Sequence, residues 1–153
     1  MTDLDRLDRR ILNELQLDGR ITNAELAARV GMAPTSMSDR LRRLQRQGFI
    51  AGFGARIDPH KVGLDLLVLV EVSLDKTTPD AFDKFSKAVR KVPEILECHM
   101  VAGGFDYLLK ARLKDMTRYR SFLGDVLLNM PGVRETRTYP VIEEVKSDGP
   151  LPI

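Results

Sequence analysis

The hydrophobic pattern of this 153-residue chain changes its period near residue 60, and this change limits the folds open to it. Before that point apolar residues recur at helical spacing, as in Leu7, Ile11 and Leu15. Beyond it lie short apolar runs that are typical of strands. We therefore expect an α+β protein with a helical domain over residues 1–55, a linker at 56–65 and a mixed domain over 66–153.

Residues typical of helix ends divide the first domain into three helices. The first helix is predicted to end at Asp18-Gly19. Thr22 and Glu25 have the spacing of a capping box, which starts the second helix. Gly31 supplies a tight turn, and Pro34 suits the first position of the third helix, where its missing N–H leaves no hydrogen bond unmade.

Two helices joined by a short turn that contains Gly form a helix-turn-helix, here over residues 22–48. Its second helix enters the major groove of double-stranded DNA. Residues 49–53 are predicted to follow as a short wing strand. A single Arg-rich amphipathic helix is also typical of a solvated face. The capped start, the Gly turn and the Pro start together favour the DNA-binding motif.

One face of the third helix carries the side chains expected to contact DNA. Between residues 33 and 56 the chain has five Arg and a single acid, a local field that suits phosphate. Residues near the start of this helix are expected to reach base edges, Arg42 to bind a guanine, and the last two arginines to bind phosphates. Asp39 either accepts from a cytosine amine or orients a neighbouring Arg. The predicted DNA-binding residues are Thr35, Ser36, Ser38, Asp39, Arg42, Arg43 and Arg46.

The second domain is predicted to have the order βαββαβ. The predicted strands are 66–74, 95–101, 107–113 and 133–145, and helices are expected around 82–92 and over 116–130. This order gives an antiparallel ferredoxin-like sheet with both helices on one face. Pro140 indicates an edge strand or a bulge in the last strand. Because the first strand is apolar on both sides, the other face is expected to meet another copy of the chain, giving at least a homodimer.

Two adjacent glycines, Gly103 and Gly104, stand between the second and third strands and are followed by Phe105 and Asp106. Exposed backbone amides can hold a carboxylate, and an acid can meet an ammonium group, which is the polarity of a free amino acid. The same residues are typical of a Gly-rich turn in which Asp106 bonds to the backbone. Both interpretations stand on these residues alone.

The chain resembles the Lrp/AsnC family of bacterial and archaeal regulators in residues 4–12 (LDRLDRRIL), 18–20 (DGR) and 42–50 (RRLQRQGFI). Residues 98–110 (CHMVAGGFDYLLK) and 136–139 (TRTY) resemble that family's effector-binding domain. The resemblance covers nearly the whole chain and is strongest to the leucine-responsive branch. It implies an amino-acid-responsive, sequence-specific activator or repressor of amino-acid metabolism, whose dimers assemble further, commonly to octamers.

In that family the loop after the second strand, the start of the second helix and the last strand line an amino-acid pocket between dimers. Carried over, the resemblance implies the effector-binding residues Met100, Gly103, Gly104, Asp106, Met116, Thr138 and Tyr139. Leucine is the first effector expected, with proline or another branched-chain amino acid as alternatives. Ala33 departs from the family, which often has Ser as helix cap there, and this weakens the start of the third helix by about 1 kcal/mol.

Several function classes are disfavoured by the composition. The single cysteine, Cys98, excludes an internal disulfide framework and a Cys-rich zinc module, which fits a reducing compartment. Neither a metal nor a cofactor is expected. No apolar run approaches the roughly 20 residues of a membrane span, and no signal peptide is recognised, so a cytoplasmic protein is expected. Adjacent strand residues such as Cys98 and His99 point to opposite faces and cannot act as nucleophile and base.

Two other functions compete with a sequence-specific regulator. An architectural, nucleoid-type protein would bind DNA broadly and have no effector, and the Arg-rich face suits it equally. A small amino-acid-metabolising enzyme with a DNA-binding appendage is the other. The sequence has no nucleophile-and-base pair, metal set or phosphate loop that supports catalysis, so we expect no enzyme.

Overall fold

The computed structural model describes residues 4–153. The first three residues of the predicted helical domain, 1–3, lie outside the described residues. The chain divides into two compact units. The N-terminal unit comprises residues up to Arg56 together with Val145–Ile153, and the C-terminal unit comprises Ile57–Glu144. The residues predicted as a linker therefore mostly join the C-terminal unit, where His60–Val62 form a 3-10 turn.

Three helices build the N-terminal unit: α1 (Arg6–Leu17), α2 (Asn23–Val30) and α3 (Pro34–Arg46). Their apolar faces meet in one core, in which Ile11, Leu26, Met37 and Leu44 are fully or almost fully buried. This core comes from the i, i+3, i+4 spacing of the sequence, which puts one apolar stripe on each helix.

The helix ends are those that the sequence predicts. Thr22 accepts a hydrogen bond from the Glu25 amide, and the Glu25 carboxylate accepts one from the Thr22 amide, so the capping box is complete. Gly31 ends α2 in the left-handed conformation, at φ 74°, which residues with a Cβ rarely adopt. Pro34 begins α3, and Ala33 before it provides no side-chain cap. The helix-turn-helix is thus confirmed.

The prediction of a short wing strand after the third helix is wrong, because residues 49–58 form no strand. A β-strand needs a hydrogen-bonding neighbour, and the described part of the N-terminal unit contains no second strand beside this segment. Phe49 and Phe53 instead line an apolar cavity of about 240 Å³.

The last nine residues also differ from the prediction, which placed them in the second domain. The side-chain amide of Asn13 donates to the Ile153 carbonyl at 2.8 Å, and the Leu151 amide donates to the Gln16 side chain at 2.6 Å. Leu151 and Ile153 lie beside Phe53 in the same apolar cavity. These contacts attach the C-terminal segment to α1, so the second unit ends at Glu144 rather than at residue 153.

The C-terminal unit has the predicted βαββαβ order and is ferredoxin-like. Its elements are β1 (Leu66–Leu74), α4 (Pro79–Val89), β2 (Ile95–Met100), β3 (Tyr107–Leu113), α5 (Met116–Asp125) and β4 (Val133–Pro140). The sheet order is β2-β3-β1-β4, with β1 antiparallel to both β3 and β4. Residues Leu127–Asn129, predicted as the end of the second helix, form a separate 3-10 turn.

Both helices of this unit pack on one face of the sheet. Phe85 of α4 and Phe122 of α5 share a core with inward-facing strand residues such as Val70 and Leu109, all of them almost completely buried. On the opposite face the Lys110 ammonium lies 3.0 Å from a Glu97 carboxylate oxygen. That face therefore mixes ion pairs with the apolar residues that the sequence indicates.

The last strand is shorter than the predicted 133–145, because β4 ends at Pro140. Proline cannot donate to a strand ladder, and β4 is an edge strand, as Pro140 indicates. The chain then turns over the sheet, where a guanidinium nitrogen of Arg112 donates to the Glu144 carboxylate. Arg112 is only 8% exposed, so Glu144 neutralises a charge buried on this face.

Candidate functional site

Five of the predicted DNA-contacting residues lie exposed on α3, on the side away from the core. Pro34 fixes the first turn of the helix, and Met37 and Leu44 anchor its other side with no exposure. Each predicted DNA-contacting residue therefore has a position set by the packing of the helix. The exposed ones are Thr35, Ser36, Asp39, Arg42 and Arg46.

Ser38 does not share this exposure. Its hydroxyl donates to the Pro34 carbonyl at 3.2 Å and accepts from the Asn23 side-chain amide at 3.2 Å. Asn23 is the first residue of α2, so this pair of bonds ties the two helices of the motif together. Ser38 is half-buried, and its hydroxyl already has a donor and an acceptor within the protein.

Asp39 and Arg42 form an ion pair one helical turn apart on the exposed side, with 3.3 Å between guanidinium nitrogen and carboxylate oxygen. Both side chains are more than two-thirds exposed, so solvent screens the pair and its contribution to stability is small. The geometry fits a carboxylate that orients Arg42, one of the two roles considered for Asp39.

Arg40 and Arg43 point toward α1 and bind a buried acid. One oxygen of Asp8 accepts from Arg40 at 2.8 Å and from Arg43 at 2.5 Å, and the Asp8 side chain is 1% exposed. Arg40 also contacts Asp5, which completes a capping box with Asp8 at the start of α1. Two of the five arginines counted in the sequence are therefore neutralised by acids at the start of α1.

The ionisation of Asp8 reflects two opposing effects. Burial favours the neutral carboxyl, but hydrogen bonds from Arg43 and Arg40 outweigh it and hold the pKa of Asp8 below its ordinary value. The sequence contains the signal for this burial, because Asp8 lies three and four residues before Ile11 and Leu12, on the apolar stripe of α1.

The segment 101–106 between β2 and β3, here called the glycine loop, is anchored by Asp106. A carboxylate oxygen of Asp106 accepts from the Leu74 amide at 2.7 Å, and its own amide donates to the Val72 carbonyl at 3.0 Å. The carboxylate thus fixes the loop to the end of β1. This contact is the one expected of Asp106 in a Gly-rich turn.

A cavity of about 310 Å³ opens between the glycine loop, the end of β1 and the start of β4. Gly103, Gly104 and Asp106, three of the predicted effector-binding residues, all line it. The prediction missed the polar residues that complete the lining: Ser73, Asp75, Thr77 and Arg134. Arg134 follows the left-handed Gly132 at the corner before β4, and a polar Ser73 in an otherwise apolar strand was the other available signal.

The other four predicted effector residues do not reach this cavity within one chain. Met100 lines a separate groove of about 430 Å³ beside α4. Met116 begins α5 beyond the far end of β3, which at roughly 3.3 Å per residue spans about 20 Å. Thr138 contacts the Tyr119 hydroxyl on the helix side of the sheet, while Tyr139 donates to Glu71 on the other side. One subunit therefore presents these residues on different surfaces.

The structure places Cys98 and His99 on opposite sides of β2. Cys98 pairs with Leu109 in the ladder and is half-buried against the core, and burial raises the pKa of its thiol. His99 faces away, with its Nε2 atom 3.2 Å from a Glu97 carboxylate oxygen. Within residues 4–153, no three acidic, His or Cys side chains lie close enough to hold a metal ion.

A family model described as winged helix-turn-helix DNA-binding matches residues 4–51, and one described as the Lrp/AsnC ligand binding domain matches residues 67–151. The chain belongs to the Lrp/AsnC family of transcriptional regulators, a family without enzymatic activity. It is 57% identical to the leucine-responsive regulatory proteins of Escherichia coli strain K12 and Salmonella typhimurium over 151 residues, which is 99% of this chain and 92% of each relative.

Solved structures agree with this assignment. A transcriptional regulator from Neisseria meningitidis, determined as a complex with L-Met, has a TM-score of 0.93 and 37% identity over 98% of this chain and 97% of its own. An AsnC family regulator from Agrobacterium tumefaciens has a TM-score of 0.92 and 30% identity over 97% and 96% of the two chains. None of the helices in residues 4–153 has the length and apolarity to span a membrane.

Proposed function

We propose that this chain is a sequence-specific regulator that reads DNA with α3 and responds to an amino acid bound at the glycine loop. The DNA-binding part of this proposal rests on the exposed side chains of α3, because Met37 and Leu44 fix the opposite side of the helix in the core. Thr35 and Ser36 reach base edges near the helix start, Asp39 orients Arg42, and Ser38 holds α3 to α2. A regulator acts where the chromosome is, which favours the cytoplasm.

Arg42 and Arg46 are expected to contribute differently to DNA binding. Arg42, next to the base-reading residues, is expected to contact one guanine, so Arg42→Ala costs about 1–3 kcal/mol at one base position. Arg46, at the end of the helix, is expected to contact phosphate, so Arg46→Ala weakens binding to all sequences alike. A preferred site is first obtained by selection from random DNA, and both variants are then titrated against it and against random DNA at one stated salt concentration.

The same titration distinguishes a sequence-specific regulator from an architectural, nucleoid-type protein. A wild-type ratio of specific to nonspecific affinity near one supports a nucleoid-type protein, as does a selection that returns no preferred site. Equal losses on both DNAs for both variants contradict the division of roles. Arg120→Ala, an exposed arginine on α5 in the C-terminal unit, is the control and should leave both affinities unchanged.

We propose that the ligand is a free amino acid, with leucine first and methionine, proline and the other branched-chain amino acids as alternatives. The cavity at the glycine loop offers both charges that such a ligand needs, since Arg134 and the loop amides suit a carboxylate and Asp106 suits an ammonium group. The leucine-responsive names of the relatives and the L-Met complex of the Neisseria regulator support this class.

The ligand proposal is tested by calorimetric titration of the full chain with these amino acids, with D-leucine as a stereochemical control. Asp106→Asn retains an acceptor for the Leu74 amide but loses the charge, so a tenfold or greater loss of affinity is expected. Asp83→Asn, an exposed acid on α4, should bind as wild type does. If Asp106→Asn binds the amino acid with unchanged affinity, the role of Asp106 is limited to anchoring the glycine loop. If the wild-type protein binds none of these amino acids, the proposed ligand class is wrong.

We further propose that the site is completed by assembly. Met100, Met116, Thr138 and Tyr139 lie on surfaces that one subunit does not bring to the cavity, as expected if neighbouring subunits share the pocket. The sheet face opposite the helices, with Leu69 and Leu108 half-buried among ion pairs, is a candidate contact for a homodimer. Dimers joined through the remaining surfaces would give a higher oligomer such as an octamer.

A further inference from the structure

Arg43 lies beside the proposed DNA-binding side of α3, and its guanidinium group is already paired with an acid of the same protein. Arg43 directly follows Arg42, so it lies about 100° around the helix from an exposed position. Its side chain is 33% exposed, yet its guanidinium nitrogen lies 2.5 Å from the buried Asp8 carboxylate. Arg43 therefore borders the proposed DNA-binding side of α3, while its guanidinium group is directed toward α1.

We propose that Asp8 is a positioning residue that withholds Arg43 from the DNA backbone and so limits the affinity of α3 for DNA of any sequence. The inference rests on the proposed DNA-binding role of α3. A phosphate and Asp8 compete for the same guanidinium. Asp8 is almost completely enclosed, and it holds Arg43 together with Arg40 and the Asp5 amide, so releasing Arg43 would leave a buried carboxylate with fewer donors.

The consequence is a gain in discrimination. Phosphate contacts raise affinity for every sequence equally, whereas base contacts raise it for one. An arginine held back from phosphate lowers nonspecific binding while the base-reading residues, which Asp8 does not touch, keep their contacts. Asp8 thereby favours the specific site over the excess of other DNA.

The test is the dependence of binding to random-sequence DNA on salt concentration, measured with the full chain. Each phosphate contact contributes about 0.9 to the slope of log affinity against log salt. Arg43→Gln is expected to leave the wild-type slope unchanged, because Arg43 makes no phosphate contact. Asp8→Asn is expected to steepen it by about 0.9 per bound subunit, and Asp8→Asn with Arg43→Gln to restore the wild-type slope.

Arg46→Gln is the positive control and should make the slope shallower by about 0.9 per subunit in each background. If Arg43→Gln makes the slope shallower by as much as Arg46→Gln does, the inference is overturned, because Arg43 would then already bind phosphate in the wild type. So does an unchanged slope in a folded Asp8→Asn protein. If circular dichroism shows Asp8→Asn to be unfolded, the slope of Arg43→Gln still decides whether Arg43 binds phosphate. Failure of the DNA-binding role itself looks different, since Arg46→Gln would then also have no effect.

Discussion

Replacing Phe85 with Ala is expected to lower the free energy of unfolding of the C-terminal unit by about 3–5 kcal/mol. Phe85 has no exposure, and its ring lies 4.5 Å from that of Tyr107, centroid to centroid. Truncation removes this contact and leaves a cavity between α4 and the sheet. Denaturant unfolding of the full chain, followed by circular dichroism at fixed protein concentration, measures the loss.

The effect of Phe85→Ala should extend to the ligand site. Tyr107 directly follows Asp106, so loss of the ring contact loosens the end of the glycine loop, and the affinity for the amino acid should fall with stability. Asp83→Ala, exposed on the same helix, is the matched control and should change stability by no more than about 0.5 kcal/mol. A loss below about 1 kcal/mol for Phe85→Ala would show that α4 does not depend on this ring.

Features set by local interactions could be predicted from the sequence. The capping box at Thr22 and Glu25 and the left-handed turn at Gly31 each depend on a few neighbouring residues, and the structure has both. The first strand was also predicted with its observed bounds, Leu66–Leu74, because a long apolar run at the centre of a sheet leaves little ambiguity.

Features set by contacts between distant residues were not predictable in the same way. The attachment of Leu151 and Ile153 to the N-terminal unit depends on Asn13 and Gln16, more than 130 positions away in the chain. The pairing of Asp8 with Arg43 likewise joins two helices. A count of charges along α3 cannot reveal that an acid in α1 neutralises part of its field.

The candidate ligand site was predicted in part for a similar reason. Gly103, Gly104 and Asp106 are adjacent in sequence and line one cavity. Arg134 reaches the same cavity from the start of β4, a proximity that arises only when β4 pairs with β1. Thr138 and Tyr139 are neighbours in one strand and consequently face opposite sides of the sheet, so closeness in sequence does not by itself define one pocket.

Glu144→Ala is expected to lower the free energy of unfolding of the C-terminal unit by about 3 kcal/mol. The Arg112 guanidinium is buried and is held by the Glu144 carboxylate and, at 3.3 Å, by the Leu64 carbonyl. Without the carboxylate, a buried positive charge retains a single neutral acceptor, and removing one partner of such a pair is far more costly than replacing both. The value lies at the lower end of the range for buried pairs because the Glu144 side chain is 30% exposed and water can enter.

Two controls separate the loss of a charge partner from the loss of a side chain. Glu143→Ala, at the exposed neighbouring position, should change stability by no more than about 0.5 kcal/mol. The double variant with Arg112→Met and Glu144→Leu removes both charges and should recover most of the stability lost in Glu144→Ala. Denaturant unfolding compares all four proteins. Equal losses for Glu144→Ala and the double variant would mean that the segment after β4 is held by packing rather than by the ion pair with Arg112.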